Sequence, residues 1–296
     1  MSPLAEPQPD RRESTHLDTS GRLVFGCGYL GSRIAARWIA AGHRVAALTR
    51  TRADVLRAIG VEPITGDVLD RAALRTLPSA ATVVYAVGLD RAAGKSMREV
   101  YVEGLANVLD TLPPCGRFIY VSSTSVYAQT DEGFVTETSA TDPIEEAGQV
   151  VLEAERLLRA KRPDAIVLRF AGIYGPDRLL RKQAILKGEP LVNDADKWLN
   201  LVHVTDGAAA VLRAESQGAP GETYNIADGT PVSRRDFYTL LAELLQGPPA
   251  RFDHRPEPLA ANRRIDVSKA RTALGWAPAF ASYREGLTAA VAESTM

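Results

Sequence analysis

The chain has 296 residues, of which 45% are hydrophobic and 24% charged, with a formal net charge of -1. That length can bury a large core, as one substantial domain or one with a smaller partner, and the near-neutral balance gives no global drive toward nucleic acid or an anionic membrane. No run reaches the roughly 20 apolar residues needed to cross a bilayer, and the two cysteines, Cys27 and Cys115, form neither a disulfide framework nor a zinc-ligand spacing; we expect no metal, nucleic-acid or membrane partner, and a cytoplasmic location.

Residues 1–20 are polar and rich in Pro, Glu and Arg, without a signal-peptide core, and read as a disordered tail. Next comes Arg22-Leu-Val-Phe-Gly26-Cys27-Gly28-Tyr29-Leu30-Gly31, an apolar strand entering GxGxxG and then a helix closed by Gly42. In that frame Gly26 permits a tight turn, Gly28 lets backbone amides approach a pyrophosphate, and Gly31 lets the helix pack on the strand. The helix N-terminus offers free N–H groups and a positive dipole end to phosphates. The bland alternative is a strand-to-helix turn with no ligand. Cys27 fills a small space in this loop.

Short β-branched runs follow at Arg44–Leu48, Val61–Thr65, Thr82–Ala86, Phe118–Val121 and Ile166–Arg169. Amphipathic segments separate them, the clearest at Met97–Leu112 and Glu145–Arg159. This alternation predicts an α/β fold with a doubly wound parallel sheet and helices on both faces. After Pro176 the rhythm changes to short helices, a strand at Thr223–Ile226 and a Pro-rich stretch from Gly247 to Pro258. We expect a dinucleotide-binding domain over 21–176, completed by 201–229, and a smaller substrate subdomain from 177–200 and 230–296. Ser233-Arg-Arg-Asp236 and Ser282-Tyr-Arg-Glu285 look like helix N-caps, the second as a capping box.

Further landmarks occur in order: Gly66-Asp67-Val68, Tyr85-Ala86-Val87-Gly88, Tyr120-Val-Ser-Ser-Thr-Ser-Val-Tyr127, Leu168-Arg169-Phe-Ala-Gly-Ile-Tyr174-Gly175-Pro176, Leu201-Val-His203-Val-Thr-Asp206, Tyr224-Asn225-Ile226, and the run from Asp266 to Pro278. With the glycine loop they resemble the extended short-chain dehydrogenase/reductase family, the NAD-dependent epimerase/dehydratases of nucleotide sugars, over nearly everything after residue 20. The resemblance implies a Rossmann-type sheet and an oxidoreductase or isomerase. It also implies a coenzyme site at Gly26, Cys27, Gly28, Tyr29, Leu30, Gly31, Asp67, Val68, Ala86, Val87 and Gly88. At the end of the second strand an NAD enzyme usually places a carboxylate for the ribose 2′-hydroxyl. Here stands Leu48-Thr49-Arg50-Thr51-Arg52. Two guanidinium groups suit a 2′-phosphate, so NADP(H) is expected ahead of NAD(H); the alternative leaves Arg50 and Arg52 solvated.

Chemistry in the family depends on a tyrosine and a lysine four residues later on one face of the helix after the serine strand. Alignment on Leu152-Glu-Ala-Glu155 puts Ala147 and Val151 at these positions, and residues 128–160 contain no tyrosine or lysine at all. Tyr101 stands where the family has an asparagine, and Gly172 where another often helps hold substrate. Ser123 remains at the serine position, either orienting a carbonyl or satisfying backbone groups within a hydroxyl-rich strand end. Candidates for a substitute acid are Tyr101, Glu146, Glu145 and Tyr127, each with a structural alternative: a first-turn glutamate, or a buried tyrosine. For substrate we single out Ser123, Tyr174, Arg178, Asn200, His203 and Arg263, the arginines suiting an anionic ligand.

Two functions fit. One is an NADP(H)-dependent redox enzyme acting on a sugar-like or small carbonyl substrate with a non-standard proton donor. The other is a non-catalytic NADP(H)-binding sensor or regulator. The family often dimerises through its two long helices; Leu105, Val108, Leu109, Val150, Leu157 and Leu158 offer apolar material for a homodimer seam, and core burial would explain the same residues.

Overall fold

The computed structural model describes residues 21–192, 195–253 and 261–294. The N-terminal tail and the later part of the Pro-rich stretch lie outside them. Seven parallel strands form the central sheet: β1 (Gly21–Phe25), β2 (Arg44–Thr49), β3 (Glu62–Thr65), β4 (Ala80–Tyr85), β5 (Cys115–Ser123), β6 (Ile166–Phe170) and β7 (Thr223–Ile226), in the order β7-β6-β5-β4-β1-β2-β3. The chain order reverses beside β1, with β4 on one flank and β2 on the other, which opens a crevice at the carboxyl ends of the strands. Thr223–Ile226, which looks isolated in sequence, is the edge strand beside β6.

Side-chain alternation explains the two layers of core. Leu23 and Phe25, Val83 and Tyr85, and Phe118 and Tyr120 point to one face, while Val24, Val84 and Ile119 point to the other. The first face is covered by α2 (Gly104–Thr111) and α3 (Glu146–Lys161), through Leu105, Val108, Val150, Ala154 and Leu158. The second carries α1 (Tyr29–Ala40), α4 (Val204–Gln217) and α6 (Ser268–Leu274). In α1, Leu30, Ile34, Ala35 and Trp38 make the buried stripe. Burying side chains of this size contributes about 1.5–3 kcal/mol each.

Leu105, Val108, Val150 and Leu158 are thus consumed by the core of one chain. On the outer side of these helices Arg98 pairs with Glu103 and Glu153.

Before α2 the chain makes a π-helical turn, Glu99–Glu103, so the segment expected as one helix contains a widened turn at Tyr101. A separate apolar core packs α5 (Arg234–Leu244) and α7 (Tyr283–Ser294) around Tyr174, Phe237, Leu241 and Leu287. Ser233 caps α5 by accepting from the Asp236 amide at 3.0 Å, and Glu285 accepts from the Ser282 amide at 3.1 Å at the start of α7. One small parallel strand pair positions the site: Arg264–Ile265 on Phe134–Val135, which carries the C-terminal segment across to the end of β5.

Candidate functional site

The glycine loop behaves as its spacing demands. Gly26 has φ +83°, and a Cβ there would lie 2.3 Å from the Ala86 carbonyl oxygen. At Gly31 a Cβ would lie 2.4 Å from the Gly26 oxygen, so the helix sits directly on the turn. A Cβ on Gly28 meets nothing within 4 Å, because that side of the loop opens into a cavity of about 760 Å³. No acid occupies the first turn of α1, which leaves the positive end of the helix dipole available to an anion. Burial pushes the Cys27 thiol up to about 11 against the field of Arg52, so it stays protonated at neutral pH. Tyr29 donates its hydroxyl to the Pro176 carbonyl at 2.8 Å and carries the guanidinium groups of Arg33 and Arg178 against its ring, tying the loop to the chain beyond β6.

Along the cavity, Ala86, Val87 and Gly88 follow β4, and Asp67 and Val68 follow β3. The Asp67 carboxylate accepts from the Leu69 amide at 2.9 Å, which orients it within its turn. Arg50 and Arg52 line the same cavity. Both are exposed; Arg50 Nη2 donates to Asp90 Oδ2 at 2.6 Å, and Arg52 Nη1 reaches the Cys27 carbonyl at 3.4 Å.

At the inner end β5 delivers Ser122 and Ser123, followed by Thr124 and Ser125. Ser123 Oγ accepts from the Ser125 amide at 3.1 Å and lines the cavity, so its local capping and its exposure to ligand coexist. Ser122 donates to Glu155 at 2.5 Å; Glu155 in turn takes Arg169 through both oxygens, at 3.0 and 2.7 Å. Val151 lines the cavity and Ala147 is exposed. Tyr101 lines the cavity from the π-helical turn, and its hydroxyl oxygen accepts from the Leu89 amide at 3.1 Å. Two cations also line the cavity: Arg178, against the Tyr29 ring of the glycine loop, and Arg263, whose Nη2 donates to the Thr124 carbonyl at 2.5 Å. Burial works against the Arg263 charge, and its Nε has no partner among the described residues.

Several residues suggested by sequence stand elsewhere. Glu146 is exposed at the start of α3, outside the cavity lining, where a first-turn acid complements the helix dipole. Tyr174 is buried in the C-terminal core, edge-on to His203 and Phe237. His203 caps α4, accepting from the Thr205 amide at 3.4 Å, and burial lowers its pKa. Asn200 accepts from the Ile265 amide and donates to the Arg263 carbonyl, at 2.7 and 2.9 Å, so it steadies Arg263 without lining the cavity. Tyr127 lies between Arg169 and Asn225. Sequence reading missed Asp90 and Lys95, both of which line the cavity; Lys95 pairs with Glu99 at 3.6 Å. The one available signal was that both follow a strand whose carboxyl end faces the crevice.

A glycine turn at a helix N-terminus, at the reversal point of a doubly wound parallel sheet, defines a Rossmann-type dinucleotide-binding protein. Residues 23–227 match the model of the NAD dependent epimerase/dehydratase family, and the chain belongs to that family. It is 29% identical over 245 residues to Protein YeeZ of Escherichia coli strain K12, covering 77% of this chain and 85% of the relative. It is 27% identical over 304 residues to a 3-diazoavenalumate denitrifying reductase from Streptomyces sp., covering 90% and 98%. Among solved structures, the dTDP-glucose 4,6-dehydratase DesIV of Streptomyces venezuelae, with NAD and TYD bound, superposes with a TM-score of 0.82 at 22% identity over 93% of this chain and 97% of that one. No described helix is long and apolar enough to cross a membrane.

Proposed function

We propose that this chain binds NADP(H) in preference to NAD(H) and uses it to reduce a small or sugar-like carbonyl compound, best one that carries an anionic group. The carrying observation is a cavity lined by hydrogen-bond donors and cations in a chain whose residues 128–160 supply no Tyr–Lys pair. Arg263, Arg178, the Ser123 hydroxyl and the Tyr101 phenol all line it.

The coenzyme's diphosphate fits the amides from Gly26 to Gly31, with Arg50 and Arg52 at the 2′ position. When bound, the nicotinamide would supply a hydride. The chain's own residues then handle the charge and the proton. Reduction places negative charge on the carbonyl oxygen, and Arg263 and Ser123 are donors suited to stabilise it. With its oxygen held by the Leu89 amide, Tyr101 keeps its O–H as a remaining donor and is the favoured proton source. Alcohol oxidation, the opening step of an epimerase or dehydratase, runs through the same groups in reverse, with the Tyr101 phenolate as base. The reductase among the relatives is what favours the reductive direction.

The test mixes the purified chain with NADPH and a panel of aldehydes, ketones and 2-oxo acids and follows nicotinamide absorbance. Consumption slowed by Tyr101→Phe and Ser123→Ala is expected. NADPH binding without turnover of any panel member, while a protein partner's affinity changes, would favour a sensor.

A further inference from the structure

Sheet order brings the end of β2 and the loop after β4 together. Both strands flank β1 and run parallel to it, so the chain leaving each bends over the same crevice. Across it Arg50 Nη2 donates to Asp90 Oδ2 at 2.6 Å, and Arg50 Nε lies 3.9 Å from Asp67 Oδ2. All three residues line the cavity. The other oxygen of Asp90 accepts from the Ala92 amide at 3.0 Å and caps the short turn Arg91–Ala93, which fixes the carboxylate in place. The Arg50 hydrogen bond first, and the Ala92 amide second, hold this carboxyl below the usual range, so it is anionic at neutral pH.

A dinucleotide in the crevice presents its ribose 2′ position to the end of the second strand. That position carries either a hydroxyl or a phosphate, and a phosphate monoester bears about -1.5 to -2 charge at pH 7. Asp90 meets the two differently. It can accept from a hydroxyl, whereas it repels a phosphate and competes with it for Arg50. We propose that Asp90 is a coenzyme-specificity residue, a counter-charge that holds down the preference for the 2′-phosphorylated coenzyme which Arg50 and Arg52 would otherwise confer. The proposal rests on the cavity being a dinucleotide site. Arg50 and Asp90 are 43% and 50% exposed, so water screens their pairing and a phosphate can part them. The competition therefore weakens binding without abolishing it.

The experiment measures dissociation constants of NADPH and NADH by nicotinamide fluorescence, on the full chain and on Asp90→Asn, which keeps the oxygen that caps Ala92. The NADPH constant is expected to fall about tenfold, as removal of a like charge from a phosphate site should do, while the NADH constant changes less than about twofold. Adding Arg50→Gln to Asp90→Asn should erase the gain. An equal shift for both coenzymes, no shift, or a gain confined to NADH overturns the proposal and leaves the dinucleotide site standing. Failure of the unaltered chain to bind either coenzyme overturns the dinucleotide reading, and the proposal with it. Circular dichroism melts that match the unaltered chain show that the variants are folded.

Discussion

Arg263 Nη2 hydrogen-bonds the Thr124 carbonyl at 2.5 Å, a contact between residues 139 positions apart in sequence. It brings a permanent cation from the C-terminal segment to the end of the serine strand. Asn200 fixes the backbone behind it. Arg263→Gln should lower kcat/KM for the best anionic carbonyl substrate by roughly 10²- to 10³-fold, the cost of removing one oxyanion donor. NADPH affinity should change little. Steady-state kinetics beside fluorescence titration checks this, and an equal loss in coenzyme affinity would contradict the assigned role.

The loop glycines should separate folding from binding. Gly26→Ala forces a Cβ to within 2.3 Å of the Ala86 oxygen at φ +83°, and should cost about 2 kcal/mol or more of stability. Gly28→Ala meets nothing in the protein. It should melt closer to the unaltered chain and yet bind NADPH about tenfold more weakly, because the added methyl occupies the diphosphate's approach. Thermal melts and titrations on the two variants give the comparison.

Asp228 should make stability depend on pH with an unusual sign. It is 2% exposed, one oxygen accepts from the Thr230 amide at 2.8 Å, and the other has no partner among the described residues. Burial, reinforced by the charge of Asp206 and opposed by the Thr230 amide and Arg271, pushes its carboxyl up to about 7. The folded chain therefore holds a proton that the unfolded chain has released above about pH 4. Stability from this group is full below that point and is lost as pH rises to 7, by up to roughly 4 kcal/mol. Asp228→Asn should remove this slope and gain most at pH 8. The difference between urea unfolding curves of variant and unaltered chain, taken from pH 5 to 8.5, isolates it from His203, whose buried neutral ring acts in the opposite sense.

Glu155 and Arg169 form a buried bidentate pair that also holds Ser122, next to Ser123. Glu155→Ala leaves the guanidinium buried beside Tyr127 without its counter-charge, and should cost about 3–5 kcal/mol. Glu155→Ala combined with Arg169→Met should recover much of that loss. Equal denaturation midpoints for the single and double variants would show that stranded charge is not the cause.

The glycine loop was legible in sequence because its requirements are backbone requirements: a positive φ at Gly26 and close approaches at Gly26 and Gly31 can be read from residue type and spacing. Strand alternation likewise announced the sheet. Tyr174, Asn200 and His203 were harder, since a motif shows which segment passes near a cavity and not where each side chain points. Tyr174 turns into the apolar core around Phe237, and His203 spends a ring nitrogen on a helix cap. Asp90 escaped notice for another reason. Its partner Arg50 lies 40 residues away, and only the placement of β1 between β2 and β4 makes them neighbours.

The extra residue in the turn Glu99–Glu103 gives this helical segment two phases. Past the turn, Gly104 is seated so tightly that a Cβ would come 2.6 Å from the Val68 side chain, which holds the following helix against the turn after β3. Within it, Tyr101 packs against the core and also lines the cavity. A single widened turn thus lets a rigid scaffold show one phenol to the cleft without loosening its own foundation.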